Sequence, residues 1–452
     1  MILNTAKLID FLNFSRLKSF RNPNNSFFVY VQPIDELFFG KALSFINHDS
    51  ESSFYWNNPD SSEIFLAIDE LLKINEITQL EDLNFISNKD DFQLERIPEI
   101  LVSIKFPSNK AETIWQAFEH STFFIPKFIF YQKEKSFYLI IFSHSTENKT
   151  GTIIIEEIEQ RLKNIISSKT KNQNQSKLKI LNQIKYDEWE GMIKHSLQKI
   201  SEGNIRKVVL SRYLDCEITN APDLTLLTNK LKDDYPASYL FIYRKSNSIF
   251  LGASPEKLFV INKKIIETEA LAGTVKRGET DSADNQLSEF LLNDKKELAE
   301  HNNVVEYILN TISEFADGIQ FDKPSIKKLK YVQHLWTPIN GTLTGDPTIK
   351  SIINRLHPTP AVCGDPKETA LDIINNLENY DRGLFTGVLG WYSGDGFGEF
   401  AVAIRSALIK NNKVMLFAGC GIVEGSSPEK EFYETELKLK SILSLFQHEP
   451  AN

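Results

Sequence analysis

Four glutamates stand on two short stretches of this chain: Glu297 and Glu300 in Lys295-Lys-Glu-Leu-Ala-Glu-His301, and Glu431 and Glu434 in Ser427-Pro-Glu-Lys-Glu-Phe-Tyr-Glu434. Each pair has i, i+3 spacing, which puts both carboxylates on one stripe of a helix. The first stripe continues into Val304 and Ile308, and the second into Lys438. Two such helices face to face would gather four acids, whose repulsion is relieved if a cation lies among them. All-oxygen donors favour Mg²⁺, which binds through one or two carboxylates together with an anionic substrate. A solvated acidic face has the same spacing, and either helix taken singly fits that reading as well.

Other segments offer acid–base groups. Lys207 opens the β-branched run of Arg206-Lys-Val-Val-Leu-Ser-Arg212. A half-buried lysine near a metal loses its proton more readily and becomes a usable general base; a strand-end lysine reaching solvent is the alternative. Gly252-Ala-Ser-Pro-Glu256 is a turn after a strand that presents Glu256 from a fixed place, or else a plain turn. In Glu267-Thr-Glu-Ala-Leu-Ala-Gly-Thr274, Gly273 allows a ligand to approach the backbone. Gly419 and Gly421 precede the second acidic helix and could offer N–H groups to an anion. Neither they nor Gly394-Asp-Gly-Phe-Gly398 has dinucleotide-fingerprint spacing. The eight histidines are scattered; His334 and His357 alone sit in motif-like surroundings, and they suit positioning better than nucleophilic attack.

The elements that must hold these groups are strand-like runs: Phe27 to Val31, Ile64 to Ile68, Phe123 to Tyr131, Phe137 to Phe142, Lys207 to Leu214, Tyr239 to Tyr243, Ile249 to Leu251, Leu258 to Ile261, Leu384 to Tyr392, Phe400 to Leu408 and Val414 to Ala418. Short turns at Asn247 and Gly394-Asp-Gly396 join neighbours as hairpins. The expected class is α+β, with largely antiparallel sheets packed together and helices outside, the longest over about 284–316 and 428–446. A surface helix starts the chain, Ile154 to Ile166 forms another, and Asp187 is a plausible N-cap for a helix bearing Trp189, Met192, Ile193 and Ser196 that stops near Gly203. A polar stretch from Ser167 to Ser176 reads as an exposed connection, placing a soft boundary near residue 180.

Composition narrows the function classes. The chain has 452 residues, with 51 Lys+Arg against 60 Asp+Glu, a net charge of −9, which excludes a polybasic nucleic-acid binder. With 41% hydrophobic and 25% charged residues it is an ordinary globular composition. Three cysteines without CxxC spacing supply neither a disulfide framework nor a thiolate zinc site, so a reducing cytoplasm is expected. No apolar run approaches the roughly 20 residues of a membrane helix, and no membrane partner is expected.

Taken together and in order, KVVLSR, ASPE, LAGT, KELAEH, HPTPA, RGLF, AIRSA, AGCGIV and SPEKEFYET resemble the chorismate-utilising enzymes, most closely the isochorismate synthases, over roughly residues 184–446. The first 180 residues show no such motifs; the resemblance implies that they complete the fold, with residues 181–452 as the chorismate-binding catalytic region. It further implies that Lys207 is the base activating water for attack on C2 of chorismate, and Glu256 the acid protonating the departing C4 hydroxyl. Glu300 and Glu434 become Mg²⁺ ligands, with Glu297 and Glu431 acting through water. Arg405, Lys438 and the backbone around Gly273, Thr274, Gly419 and Gly421 fall where the family holds the two substrate carboxylates, and His334 also falls in the pocket. Ala272 stands where aminodeoxychorismate synthases carry a nucleophilic lysine. Lys207 is present where anthranilate synthases lack the base, so water is the expected nucleophile and no glutamine amidotransferase subunit is expected. Salicylate synthases, the alternative, tend to carry threonine and tyrosine where this chain has Ala361 and Phe385. A monomer is the default expectation.

Overall fold

Side-chain alternation shows how the strands lie. In Ser26–Ile34, Phe27, Val29 and Val31 enter one buried cluster while Phe28 and Tyr30 enter another on the opposite face. A strand covered on both faces reads as an unbroken apolar run, and this is why the N-terminal strands look so hydrophobic. The computed structural model describes residues 3–18, 26–47, 52–61, 63–74, 83–111, 114–144, 151–167 and 177–446. The polar connection expected from Ser167 to Ser176 lies almost wholly outside them.

Twenty-one strands are hydrogen-bonded into one continuous system among the described residues. One arm runs, neighbour to neighbour, through Asn84–Ser87, Ser26–Ile34, Ser136–His144, Ser121–Lys133, Glu63–Ile74, Ser52–Asn57, Tyr239–Lys245, Ser248–Ser254, Ser406–Lys410, Lys413–Ile422, Lys207–Ile218 and Leu178–Gln183. A second arm leaves the N-terminal end of Ser121–Lys133 through Ile100–Ile104, Val388–Ser393, Phe397–Val402, Lys257–Asn262, Ile265–Lys276 and Val332–Leu343. All these pairings are antiparallel except that of Ser26–Ile34 with Asn84–Ser87. Strands from early and late in the chain therefore pair directly, Ser52–Asn57 with Tyr239–Lys245 and Ile100–Ile104 with Val388–Ser393.

The largest apolar cluster lies between the arms, where Phe27, Trp56 and Phe65 meet Phe259, Trp391 and Phe400. A second cluster seats helices Thr5–Lys18, Gly151–Ser167, Leu224–Asp234 and Pro428–Leu443 on the outer face of the first arm through Leu12, Ile158, Leu231 and Leu439. Helix Lys295–Ile312 packs on Ile265–Lys276 and Val332–Leu343. The α+β architecture, with helices outside, is as the sequence implied. No described helix is long and apolar enough to cross a membrane.

Several boundaries differ from expectation. The helix Tyr186–Ser201 is capped at Lys185 without a side-chain bond, and Asp187 lies in its first turn, where a carboxylate favours the helix dipole instead. The long helix expected over 284–316 is two, Asp281–Asn293 and Lys295–Ile312, divided at Asp294, whose carboxylate accepts from the Glu297 N–H. The run Leu384 to Tyr392 turns strand only at Val388. The run Phe400 to Leu408 breaks between Phe397–Val402 and Ser406–Lys410, where Arg405 has φ +51°. The first helix is not merely superficial, since Leu8 and Leu12 are buried.

Candidate active site

Strand Lys207–Ile218 alternates, so Lys207, Val209 and Ser211 share a face, and its neighbour Lys413–Ile422 runs alongside in register Ser211↔Gly419 and Val209↔Gly421. Opposite stand Ile265–Lys276 and Val332–Leu343 of the second arm, paired so that Thr274 faces His334. Gly273 is an extra residue in that ladder with φ +78°, a bulge conformation that glycine adopts without strain. Between these walls lies a cavity of about 700 Å³, counting its part open to solvent.

Twelve of the expected site residues line it: Glu256, Gly273, Thr274, Glu300, His334, Ala361, Phe385, Arg405, Gly419, Gly421, Glu434 and Lys438. Lys207, Glu297 and Glu431 stand behind the wall. Lys207 is 1% exposed and its Nζ lies 2.8 Å from Glu300 Oε1. Gly421 makes that contact possible, because a Cβ there would come within 2.4 Å of Glu300 Oε1 and 2.8 Å of Lys207 Cε. Behind Gly273, Glu297 Oε2 accepts the Thr274 N–H at 2.8 Å.

The acidic helices meet as expected, but lysines are threaded among the acids. Glu300 pairs with Lys207, Glu434 with Lys438 at 2.6 Å, and Glu431 with Lys296 at 3.1 Å; Lys296 also lies 3.6 Å from Glu297. Burial pushes Glu297 up to about 7, helped by the charge of Glu300, and it raises Glu431 with help from Glu434. Burial works the same way on Glu300, yet the Lys207 ammonium beside it brings that carboxyl below its ordinary range. No three acidic, histidine or cysteine side chains converge at ligand distance among the described residues. The donor set still suits Mg²⁺, which needs only one or two protein carboxylates, and Glu300 and Glu434 both face the cavity.

Glu256 occupies the other side. Fully enclosed, it accepts one long hydrogen bond from Thr359 Oγ1 at 3.5 Å, and no cation lies within ion-pair distance among the described residues. Burial, then the charge of Glu269, pushes its carboxyl up to about 7 against the pull of Lys207 and Lys327. It therefore holds its proton to higher pH than an ordinary carboxyl does.

Arg405 enters from the break between two strands, in a backbone conformation uncommon for a non-glycine residue. Its guanidinium is buried and has no carboxylate within ion-pair distance; its one hydrogen-bond partner among the described residues is His334 Nε2, at 3.4 Å. His334 Nδ1 lies 3.2 Å from the Gly273 carbonyl, which can only accept, so the proton sits on Nδ1 and Nε2 is free to accept from Arg405. Burial, then Arg405, holds the imidazole well below its usual range and neutral. A buried cation without a counter-ion is a receptor for an anion. Lys438 adds a second positive charge, its Nζ also donating to the Gly419 carbonyl at 2.9 Å.

Sequence reading missed part of the wall: Val209, Ser211, Leu271, Thr386 and Phe417 line the cavity too. Alternation from Lys207 points directly to Val209 and Ser211. It also missed Glu378 and Arg382, which brace the wall from behind. Arg382 donates to both Glu378 oxygens and to the Val209 and Val362 carbonyls, while Glu378 accepts from the Ser211 N–H and hydroxyl. His357 is buried, bonded to the Thr386 carbonyl at 2.7 Å, and does not line the cavity.

Comparison with known proteins accords with this geometry. A model of the family described as chorismate binding enzyme matches residues 15–447, thus including nearly all the N-terminal part that carries none of the quoted motifs. The chain is 31% identical over 441 residues to isochorismate synthase MenF of Bacillus subtilis, covering 92% of each. It is 39% identical over 256 residues to the salicylate biosynthesis isochorismate synthase of Pseudomonas aeruginosa, covering 56% of this chain and 54% of that one. Among solved structures, MenF, the menaquinone-specific isochorismate synthase from Escherichia coli, superposes with a TM-score of 0.80 at 23% identity, over 98% of this chain and 100% of that one. Anthranilate synthase component I from Streptococcus pneumoniae gives 0.69 at 23% identity, over 85% and 92%. The chain belongs to the chorismate-binding enzyme family.

Proposed function

We propose that this protein is an isochorismate synthase, a hydroxymutase that converts chorismate to isochorismate reversibly with Mg²⁺. The observation that carries the reading is the convergence on one cavity of the buried Glu256, the Lys207–Glu300 pair, and Arg405, whose guanidinium has no carboxylate within ion-pair distance. In this reading Arg405 and Lys438 take the substrate carboxylate that their charges require, while neutral His334 and the Gly273–Thr274 turn fix its orientation. Glu300 and Glu434 would hold Mg²⁺, with Glu297 and Glu431 supporting the site, and the metal would supply positive charge against a substrate carboxylate.

Lys207 accepts a proton from the attacking water as the water oxygen bonds to C2. Both ring double bonds shift, C1=C2 to C1=C6 and C5=C6 to C4=C5, and the C4–O bond breaks. Glu256 gives its proton to that departing oxygen, which leaves as water. One hydroxyl enters, one leaves, and no redox change occurs. Each proton transfer contributes on the order of 10² to 10⁴ in rate. Ala361 and Phe385 line the pocket with apolar groups and favour release of isochorismate over pyruvate elimination. Since water is the nucleophile, the protein works without a glutamine amidotransferase subunit, and we take it to act as a cytoplasmic monomer. Incubating it with chorismate and Mg²⁺ and separating the products gives isochorismate; salicylate with pyruvate, or unchanged chorismate from folded protein, would refute this reading.

A further inference from the structure

The backbone around Glu256 is held at more points than a turn requires. The Glu256 N–H donates to Ser254 Oγ at 3.2 Å, and its carbonyl accepts the Val402 N–H at 3.2 Å. On either side, an ion pair grips the chain. Lys327 Nζ donates to the Pro255 carbonyl at 2.8 Å, and the Lys257 N–H donates to Glu269 Oε1 at 3.1 Å. Lys327 and Glu269 are joined at 3.0 Å, and Trp336 Nε1 holds the other Glu269 oxygen at 2.6 Å. The residue before Glu256 and the residue after it are thus tied to the two halves of one charge pair.

Those two residues come from strands that build the opposite pocket wall. Glu269 lies four residues before Gly273 in Ile265–Lys276, and Lys327 is paired with His334 across the ladder of Ser325–Lys328 and Val332–Leu343. Neither Glu269 nor Lys327 lines the cavity. A half-buried pair of this sort adds little net stability, so stability alone does not account for it. What it does fix is geometry: a carboxyl that reaches the pocket without a strong side-chain partner of its own takes its position from the backbone beneath it.

We propose that Glu269 and Lys327 form a clamp that positions Glu256, coupling the place of its carboxyl to the wall that carries Gly273, Thr274 and His334. The inference rests on the reading of Glu256 as the acid. Both are positioning residues, acting on proton delivery to the leaving oxygen and not on anchoring of the substrate carboxylates.

The test is steady-state turnover of chorismate by Glu269→Gln, Lys327→Met, Lys327→Arg and, in parallel, Glu256→Gln. Glu269→Gln keeps the shape while removing the charge and one of the two acceptors, so either the Lys257 N–H or the Trp336 Nε1–H loses its partner. In it and in Lys327→Met, kcat falls on the order of 10- to 100-fold with KM within about twofold, as a small displacement of an acid entails. Lys327→Arg still spans Pro255 and Glu269 and recovers to within about threefold of the parent. The double variant Glu269→Gln/Lys327→Met loses no more than the worse single change, because both break one clamp. Unchanged kcat in both single variants beside an inactive Glu256→Gln would overturn the clamp alone. Full activity in Glu256→Gln would overturn the acid and the clamp together. Should Glu269→Gln not fold, Lys327→Met against Lys327→Arg decides: equal loss in both overturns the proposal.

Discussion

Glu378 and Glu256 are the same side chain, both buried beside one cavity, yet they live under opposite conditions. Glu378 receives two N–H groups from Arg382 and two donors from Ser211, and Arg382 gives two more hydrogens to the Val209 and Val362 carbonyls above Phe106, whose ring lies 4.5 Å away. Every charge there has a partner. Glu256 has a single 3.5 Å bond, and Arg405 nearby has an imidazole where an anion would fit better. Closed networks hold walls; open ones are where an external molecule must complete the pairing. The acidic floor lies between these cases, its four carboxylates shared among three lysines, Lys207, Lys296 and Lys438.

If that contrast is right, the largest effect comes from the open side. Glu434→Ala abolishes turnover and leaves the melting transition near that of the parent, because the lost group faces the cavity and supports no packing. Chelation of Mg²⁺ has the same consequence for activity, reversed by adding the metal back. Retained turnover in the variant, measured with Mg²⁺ present, would contradict the assignment of that glutamate.

Next in size is the exchange of one network for the other. Glu256→Gln lowers kcat on the order of 10² to 10⁴ while folding persists. Arg382→Met does the reverse: it strands Glu378 as a buried, unpaired charge and costs about 3–5 kcal/mol of stability, read as a lowered denaturant midpoint. Equal activity losses from the two, with equal stability, would erase the distinction between brace and acid.

The smallest effect is a pH dependence. The Glu256 carboxyl is raised to about 7 in the folded chain, above its ordinary 4.5, so folding binds a proton between those values. Its contribution is fully present below about 4.5 and declines as pH rises toward 7, after which it is lost. Glu99, buried behind Gly394 and also raised to about 7, and Glu297 act in the same direction. The buried histidines His301, His334 and His357, held below their usual range, oppose this over the same window, so the readout is the difference between two metal-free proteins: relative to the parent, Glu256→Gln loses the fall in stability from pH 4.5 to 7 that this carboxyl contributes. An unaltered slope in the variant would place the proton elsewhere.

How much of this was legible beforehand depends on the range of the interaction. Lys207, Glu256 and the acidic stripes could be found because residue type and local spacing mark them, whereas Arg405 is marked only by the family resemblance of its AIRSA motif. The split at Asp294 could have been read too: Asp294 followed three residues later by Glu297 is a helix start within an apparent helix. The brace and the clamp could not. Ser211 meets Glu378 across 167 positions, and Lys327 meets Glu269 across 58, with no pattern linking them in one sequence. The left-handed Arg405 was equally hidden, since nothing in Ala403-Ile-Arg-Ser-Ala407 announces a break between strands.

The most direct test is isotopic. Turnover of chorismate in ¹⁸O-enriched water, with products separated and weighed by mass spectrometry, should give isochorismate carrying one heavy oxygen, located on C2. Unlabelled isochorismate would mean that the hydroxyl migrates within the substrate, and a water-activating base opposite a proton-donating Glu256 would then be the wrong description.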